Sequence, residues 1–425
     1  MIYDVCVVGA GPVGSAAARW TSSLKGVRVC LIGPAEPTEQ EWSSGERENF
    51  GEHYGQERLV STVCSGRNEE SWPILARRSI GRFRTLERLS GIRFFEEVGF
   101  LFYSTKKKIG NVRSKLPGNL AVKTIRQEDI SSLWNLKAPS KSKHKNSETH
   151  EGILEEQSAG YIIPRKYIEA NKFLASRNGC ELVDDAVIEV REHDGQEESG
   201  RKHMRVFTKG GSEIPARRVL LCAGAFTNHG RLLPQGHEVD ITMTTETVAM
   251  LEVSAHDVQR LSGMPCMVVK FDDLKDVRNT YFFPPVKYPD GKYCMKVGHG
   301  LYLNQHLTSY DDVISWYRKR GNVPRANVEY VSSLLLNWVP DLRPRAVTGS
   351  TCVITSTPTG RYYCDMVTPT LGVVVGGNGG GCMIADEIGR MGAQMIVKGS
   401  WEHDLPAYLF KARYKRRALN TESKL

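Results

Sequence analysis

The sequence predicts a mixed fold, in which an α/β unit with parallel strands is combined with an α+β unit built on an antiparallel sheet. The first unit is indicated by an apolar strand at residues 2–8, which runs into the glycine pattern GAGPVG and then into a helix expected at residues 15–24. The second is indicated by residues 237–335, where short alternating strands such as MVVKF and KYCMKVGHG follow one another. At 425 residues the chain is long enough for two domains.

The composition is that of an ordinary folded protein, with 40% hydrophobic residues and a net charge of +9. No run approaches the roughly 18 apolar residues of a membrane span, and a strand starting at residue 2 leaves no room for a secretory leader, so we expect an intracellular protein without a membrane segment. Basic residues cluster at 141–145 and 411–417 without interleaved aromatics, so no nucleic-acid partner is predicted. The ten cysteines lie singly, without CxxC pairs, which favours reduced thiols and predicts no metal site.

The pattern GAGPVG is a dinucleotide-binding fingerprint in its required context, between a strand and a helix. Gly9 allows a tight turn, Gly11 lets the backbone approach a pyrophosphate, and Gly14 lets the helix pack on the strand, so a Rossmann-like domain is predicted. The alternative is a merely tight turn between strand and helix. The second strand, VRVCLIG, ends in Gly33 where an acid normally binds the ribose, and Glu36 is the nearest acidic candidate.

The order strand, GAGPVG, helix, strand and then GEHYGQERLV resembles the flavin-dependent amine oxidases typified by sarcosine oxidase and peroxisomal pipecolate oxidase. The resemblance implies an FAD cofactor and places Arg58 along the flavin and Val187 at the adenine. It also implies that the strand VLLCAGAF returns the chain to the nucleotide domain, which is therefore discontinuous. Without the resemblance, Arg58 reads as a solvated loop arginine.

The segment CMKVGHG resembles the family segment in which a lysine faces the flavin, and the match falls on Lys296. A lysine in an alternating strand normally points to water, where it contributes about 0 to 1 kcal/mol. A charge about 4 Å from negative charge developing on oxygen is instead worth on the order of 4 kcal/mol. Tyr281, in TYFFPP, matches an aromatic residue that lines the family's substrate cavity.

Near the end of the chain, Cys352, Thr355, Thr357 and Pro358 resemble the family's C-x-x-T-x-T-P segment, in which the cysteine is the site of covalent flavin attachment. From the residues alone, a buried small hydrophobe is the ordinary reading of such a cysteine. The glycine loop that follows, Gly379, Gly380 and Gly381, precedes a helix whose N-terminal donors can face the flavin; the alternative is a plain glycine-rich turn.

Two family features are absent from the sequence. The family's small-substrate members grip the substrate carboxylate with an arginine and a lysine, and these positions are Ser61 and Gly381 here. A buried carboxylate without a cationic partner is costly, so we expect that either another cation, Arg47 or Arg67, has moved in, or the substrate lacks the carboxylate. The three glycines would also leave room for a bulkier amine.

The sequence thus predicts an FAD-dependent oxidase of a secondary or N-alkyl amine or amino acid. Hydride would pass from the amine α-carbon to flavin N5, the imine would hydrolyse, and oxygen would be reduced to hydrogen peroxide. We expect a monomer. Two alternatives stay open: a flavin dehydrogenase that uses another acceptor, and a flavin-bound binding or assembly protein without catalysis.

The C-terminal residues Ser423, Lys424 and Leu425 match the peroxisomal address SKL, so import by the peroxisomal receptor is expected. The domains are expected to be formed from several stretches of chain. These are 1–60, 157–235 and 336–425 for the FAD-binding domain, 61–136 and 236–335 for the substrate domain, and 137–156 for a disordered insertion.

Overall fold

The structure is a computed structural model that describes residues 2–38, 40–41, 51–65, 71–138, 149–193, 203–270, 277–301, 304–319 and 322–415. The candidate cations Arg47 and Arg67 and the C-terminal Ser423–Leu425 lie outside these residues, so the predictions made for them stay predictions. None of the described helices is both long and apolar enough to cross a membrane.

The helices of the described residues are numbered in chain order. They are α1 (Pro12–Ser22), α2 (Thr62–Ser65), α3 (Ser71–Ser90), α4 (Lys106–Arg113), α5 (Gln127–Trp134), α6 (Pro164–Arg177), α7 (Ala255–Arg260), α8 (Tyr310–Arg318), α9 (Arg325–Leu336) and α10 (Gly381–Lys398).

The strands are numbered in the same way. They are β1 (Tyr3–Val8), β2 (Val29–Ile32), β3 (Arg58–Val60), β4 (Phe95–Glu96), β5 (Phe100–Thr105), β6 (Lys123–Arg126), β7 (His150–Glu155), β8 (Gly160–Ile162), β9 (Glu181–Val183), β10 (Val187–His193), β11 (His203–Thr208), β12 (Glu213–Leu221), β13 (Thr242–Glu252), β14 (Cys266–Lys270), β15 (Val277–Phe282), β16 (Val286–Lys287), β17 (Tyr293–Leu301), β18 (His306–Leu307), β19 (Ala346–Ser356), β20 (Tyr363–Met366) and β21 (Leu371–Val375).

The first sheet has a parallel core in the order β9-β2-β1-β12-β21. Strands β1, β2 and β21 are mainly buried on both faces, which explains their continuous apolar sequences. Helices α1, α6 and α10 pack together over the sheet. Helix α1 begins at Pro12 rather than at the expected Ser15, because proline has the helical φ and its missing N–H costs nothing in the first turn. The predicted Rossmann-like fold is confirmed.

The second sheet follows the order β18-β13-β17-β15-β14-β5-β7-β6, with β19 paired to the other edge of β13. All of its pairs are antiparallel except β5 with β14. The predicted antiparallel sheet is therefore confirmed. Its register places Cys352 opposite Glu246 and Lys296 opposite Met250, so strands from distant parts of the chain present their side chains side by side.

The predicted disordered insertion at 137–156 is wrong where the structure describes its second half. Residues His150–Glu155 form β7, which pairs with both β5 and β6. Ile153 and Leu154 are buried in the sheet, and these two apolar residues outweigh the charged neighbours that suggested disorder. Residues 139–148 lie outside the described part of the chain.

The expected one or two helices at 71–93 form a single helix, α3, which packs against α6 and α10. Its Arg82 bonds to Asp386 and Glu387 of α10. The sequence assigned α3 to the substrate domain, whereas these contacts join it to the helices of the first sheet. The remaining domain boundaries stay predictions.

Glu387 is the buried centre of this ion cluster, and we expect its removal to destabilise the fold. Its carboxylate binds Arg82, Arg390 at 2.6 Å and His403 at 3.0 Å. Burial alone would raise the pKa of Glu387, but hydrogen bonds from His403 and Arg390 and the charge of Arg82 hold it well below its usual range. Glu387→Gln removes the counter-charge of Arg390 and one of the two that Arg82 binds, so the free energy of unfolding in urea should fall by about 3 to 5 kcal/mol at neutral pH.

The control is Glu402→Gln, which breaks an exposed pair with Lys398 and should cost less than about 1 kcal/mol. Because the folded-state pKa of Glu387 is depressed, its contribution is complete above the ordinary value of 4.5 and is lost as the pH falls below it. The two variants should therefore converge in stability in acid. Equal losses at neutral pH would contradict the role of the cluster.

Candidate active site

A single cavity of about 980 Å³ runs from the turn after β1 to the inner face of the antiparallel sheet. Its volume is at the upper end of the about 300 to 1,000 Å³ that is usual for small-molecule sites. It is lined by the predicted residues Gly9, Gly11, Arg58, Val187, Tyr281, Lys296, Cys352 and Gly379–Gly381. The structure therefore brings together residues that are up to 372 positions apart in the chain (381 minus 9).

The glycine turn has the close contacts that the fingerprint requires. Gly9 has φ +102°, and a Cβ there would collide with the carbonyl of Cys222, the residue that follows β12. A Cβ on Gly14 would collide with the carbonyl of Gly9. Gly11 is the N-cap of α1, whose N-terminus opens to the cavity. The turn thus offers free backbone donors and a partial positive charge to a phosphate group.

The end of β2 approaches this turn closely, since a Cβ on Gly33 would lie 2.5 Å from the amide nitrogen of Ala10. Glu36 follows but is not among the cavity-lining residues; it bonds His53 at 2.8 Å and faces Arg165 at 3.6 Å. Burial would raise the pKa of Glu36, and the neighbouring His53 holds it below its usual value. The assignment of Glu36 to the ribose stays a prediction, while Val187 does line this end of the cavity.

Arg58 begins β3 and reaches into the cavity rather than into solvent. Its Nη1 donates to the carbonyl of Glu57 at 2.8 Å, and its Nη2 donates to the carbonyl of Glu52. Gly55 permits this arrangement, because a Cβ there would lie 2.5 Å from Nη1. The interpretation of Arg58 as a solvated loop arginine is wrong.

Lys296 is 5% exposed, so the interpretation as a solvent-facing strand lysine is also wrong. Its Nζ donates to the carbonyl of Glu57 at 2.6 Å, lies 3.4 Å from a carboxylate oxygen of Glu57, and sits 4.5 Å above the ring of Phe283. Burial lowers the pKa of Lys296 from 10.5 to about 8, against the opposing attraction of Glu57. The cavity therefore contains a cation with little exposure to water.

The partners of Lys296 were missed from the sequence. Glu57 is fully buried, and the hydroxyl of Tyr288 lies 2.9 and 2.8 Å from its two carboxylate oxygens. The only local signal was the position of Glu57 next to Arg58. Because Tyr288 is 231 residues further along the chain, its contact with Glu57 could not be read from spacing.

Tyr281 lines the cavity as predicted, against β17. Its ring packs so closely on Gly298 that a Cβ there would collide with its hydroxyl group. Burial raises the pKa of Tyr281 well above its usual value, so the hydroxyl stays protonated at neutral pH. It can therefore donate a hydrogen bond to a molecule in the cavity.

Cys352 is half-buried on β19 and lines the cavity. Its carbonyl accepts a hydrogen bond from the indole of Trp316 at 2.8 Å, which fixes this part of the strand. Burial raises the pKa of the Cys352 thiol, whereas Arg58 and Lys296 lower it. Thr355 donates to Glu52 at 2.7 Å, so the C-x-x-T segment also positions an acid at the cavity wall.

The glycine loop before α10 also faces the cavity. Gly379 has φ +74° and Gly380 is the N-cap of α10, so free backbone donors are directed toward the site. The expected extra room does not extend to Gly381, because a Cβ there would lie 2.5 Å from the hydroxyl of Tyr362. Tyr362 has taken the space that the glycine leaves.

Ser61, the other altered position, is not among the lining residues. It is fully buried, and its hydroxyl donates to Glu155 at 2.6 Å. Glu155 also accepts from the amide of Val63 at 3.0 Å. Ser61 therefore helps to connect α2 to β7 and offers nothing to a substrate.

Residues 4–395 match the family model described as FAD dependent oxidoreductase, DAO. The chain belongs to this family. FAD is therefore its cofactor and the chain is an oxidoreductase. The cavity fits such a group. The glycine turn offers backbone donors to the phosphates, the lining at Val187 lies beside that turn's end of the cavity, and the N-terminus of α10 offers donors at the other end.

Within the FAD-dependent oxidoreductases, the chain is 23% identical over 413 residues to the monomeric sarcosine oxidase of Arthrobacter sp. strain TE1826, covering 96% of this chain and 95% of that protein. Many solved structures share its fold. Three of them are NikD, an unusual amino acid oxidase essential for nikkomycin biosynthesis (TM-score 0.74, 20% identity, 96% and 98% of the two chains), fructosyl amine:oxygen oxidoreductase of Aspergillus fumigatus (0.69, 16%, 96% and 89%) and L-proline dehydrogenase of P. horikoshii (0.67, 15%, 96% and 96%).

One further cavity residue of this family member was missed from the sequence. Glu246 on β13 is 2% exposed and lines the cavity opposite Cys352. Burial raises its pKa to about 8. The signal was present in TMTTETVAM, where a single acid interrupts threonine and apolar residues, but the sequence does not show which face of the strand is turned inward.

Proposed function

We propose that the protein is an FAD-dependent oxidase of a secondary or N-alkyl amine that carries no carboxylate at the family position. The observation that supports this most directly is the buried cation of Lys296, in the same cavity as Cys352 and the glycine turn. The family membership gives the redox chemistry of the amine-oxidase type. The choice of oxygen as acceptor and the choice of substrate are our inferences.

Bound FAD would supply the two-electron oxidation of an amine to an imine, with oxygen as the final acceptor and hydrogen peroxide as its product. The glycine turn and Val187 would hold the nucleotide, and Arg58 and Gly379–Gly381 would face the flavin. Lys296 would offer its positive charge to the negative charge that develops on oxygen. Met250 and Phe283 line the same wall and exclude water from it.

We also propose that Cys352 carries the flavin covalently. Its side chain lines the cavity. Burial, Glu52 and Glu246 raise the pKa of its thiol, and Arg58 and Lys296 offset this rise only in part. Joining Sγ to the flavin 8α-carbon releases the thiol proton and removes a second hydrogen, with two electrons, from the methyl group. Oxygen takes up these electrons and becomes hydrogen peroxide. The enzyme would then retain its cofactor after unfolding.

The substrate inference depends on the cations near the site. Ser61 is engaged by Glu155, and Tyr362 fills the space beside Gly381. Arg58 donates to the backbone carbonyls of Glu52 and Glu57, and Lys296 donates to the carbonyl of Glu57. Since a buried carboxylate needs a cationic partner, the described residues offer poor binding to an amino acid in the family manner.

The decisive experiment is an anaerobic panel of amines, each tested with and without a carboxylate, in which loss of the oxidised flavin absorbance is followed. We expect secondary or N-alkyl amines without a carboxylate to reduce the flavin fastest. Oxygen consumption with hydrogen peroxide release should follow when air is admitted. Faster reduction by the carboxylate-bearing partner of each pair would contradict the substrate inference.

A dehydrogenase is the second candidate, and the contact of Lys296 with Glu57 favours it. A carboxylate 3.4 Å from Nζ offsets the positive charge that oxygen activation needs. L-proline dehydrogenase, which is named as a dehydrogenase and not as an oxidase, has the same fold. Rapid reoxidation by a quinone and slow reoxidation by oxygen would establish this alternative. A non-catalytic FAD-bound protein would be indicated if no amine of the panel reduced the flavin.

A further inference from the structure

The carboxyl group of Glu246 is held in the cavity by neutral donors. One oxygen accepts from the amide of His299 at 3.1 Å, and the other accepts from the side chain of Asn304 at 3.2 Å. Within the described part of the chain, no lysine or arginine forms an ion pair with it. The two cations nearest the catalytic end, Arg58 and Lys296, bind elsewhere.

The position of Glu246 is at one end of an apolar row. Val248 and Met250, at alternate positions of β13, also line the cavity. Cys352 lies directly across on β19, and the charge of Glu246 contributes to the raised pKa of Tyr281. Glu246 is therefore close to both the proposed attachment site and the cavity-lining tyrosine.

An acid in this position is costly unless something compensates it. Burial disfavours the ionised form, and the two hydrogen bonds offset this only in part. A positively charged ligand would supply the missing counter-charge in an environment where charge attraction is strong. A ligand carboxylate in the same place would instead be repelled by the Glu246 carboxylate.

We propose that Glu246 binds a positively charged nitrogen of the substrate, distinct from the neutral amine nitrogen that is oxidised, so that the enzyme selects organic cations that lack a carboxylate. This inference rests on the proposed amine-oxidase function and assigns its specificity to one residue. The competing explanation is structural. Pairing of β13 with β17 runs only as far as Val248 and Gly298, and the Glu246 carboxylate satisfies the amide that follows.

Glu246→Gln separates the two explanations, because glutamine keeps an oxygen acceptor for His299 and removes the charge. The probe is benzyltrimethylammonium, whose quaternary nitrogen cannot be oxidised as an amine; phenylacetate and benzyl alcohol are its anionic and neutral counterparts. Binding to the FAD-loaded enzyme is measured by calorimetry at about pH 9, above the pKa of about 8 of Glu246. The control is Asp290→Asn, which removes an exposed acid from the same cavity lining.

We expect the wild type to bind the cation at least about tenfold more tightly than phenylacetate, and Glu246→Gln to weaken the cation on the order of 30-fold while binding of benzyl alcohol is unchanged. Asp290→Asn should bind the cation like the wild type. Unchanged cation binding in Glu246→Gln, or equal weakening in both variants, would overturn the proposal. FAD content and circular dichroism check the fold.

If Glu246→Gln fails to fold, Glu246→Asp provides the test, since it keeps the charge. It should keep the preference for the cation over benzyl alcohol, and loss of that preference would overturn the proposal. The amine panel separates the two levels. If cation binding depends on Glu246 but no amine reduces the flavin, this inference is supported and the oxidase is rejected. If amines reduce the flavin but cation binding does not depend on Glu246, the oxidase is supported and this inference is rejected.

Discussion

Lys296→Met is expected to slow reoxidation of the reduced enzyme by oxygen by about 10³-fold. A charge about 4 Å from the developing negative charge is worth roughly 4 kcal/mol at an effective dielectric constant near 20, and each 1.36 kcal/mol is a factor of ten in rate. Methionine has a similar length and no charge, so the packing against Phe283 is kept. The measurement is stopped-flow mixing of the amine-reduced enzyme with oxygen.

The matched control is Lys209→Met, which removes a lysine from the same cavity at its Val187 end and should leave reoxidation unchanged. Full oxygen turnover in Lys296→Met would contradict the oxidase and support the dehydrogenase. Equal slowing in both variants would indicate that only the overall charge of the cavity matters.

The same charge should give reoxidation a distinctive pH dependence. Burial lowers the pKa of Lys296 to about 8, so its cationic form predominates below that pH and is lost as the pH rises through it. The groups that act on it are Glu57, Arg58 and Cys352. Reoxidation should therefore slow between about pH 7 and 9, whereas flavin reduction should accelerate, because only the neutral amine donates hydride. A flat profile for both steps would contradict these assignments.

Cys352→Ala is expected to convert a covalently bound cofactor into a released one. After acid precipitation, the wild-type pellet should stay yellow, whereas the variant should release its flavin to the supernatant. The effect is complete rather than graded, because a single thioether decides it. Absorbance of pellet and supernatant at the flavin band is the measurement.

Cys382→Ala is the matched control, because Cys382 also lines the cavity and carries a thiol near Arg58. Burial raises the pKa of Cys382 to about 11 and also raises that of Cys352, so the choice between the two thiols rests on the C-x-x-T-x-T-P match of Cys352. The pellet of Cys382→Ala should stay yellow. Release of flavin from the wild type would reject covalent attachment, and release from Cys382→Ala alone would move it to the other thiol.

The sequence predicted best those parts of the site that are local in the chain. The glycine turn, Cys352 with its threonines and the loop at Gly379–Gly381 each lie within a few residues, so their geometry follows from backbone sterics. Lys296 was placed by resemblance, since alternation alone gave it the wrong face. The fold class followed from strand patterns that are continuous where both faces are buried and alternating where one is.

The parts that were missed depend on contacts between distant residues. Glu57, Tyr288 and Glu246 acquire their roles from neighbours on other strands, and no local pattern shows which acid will be buried. The strand at His150–Glu155 was hidden because charged neighbours dominate its composition, while its stability comes from partners on both sides. The structural role of Ser61 likewise became visible only through its hydrogen bond to Glu155.

Helix α10 has a mechanical consequence for the whole enzyme. Its first turn faces the cavity at Gly381. Six residues later, about 9 Å along the axis, Glu387 is bound by Arg82 of α3, Arg390 of α10 and His403 of the chain that follows. Because a helix moves largely as a rigid body, a shift of α10 at Glu387 also shifts its N-terminal turn at Gly381. Events far outside the cavity, such as a loosened salt-bridge clamp, would therefore be felt as misalignment of the donors that meet the cofactor.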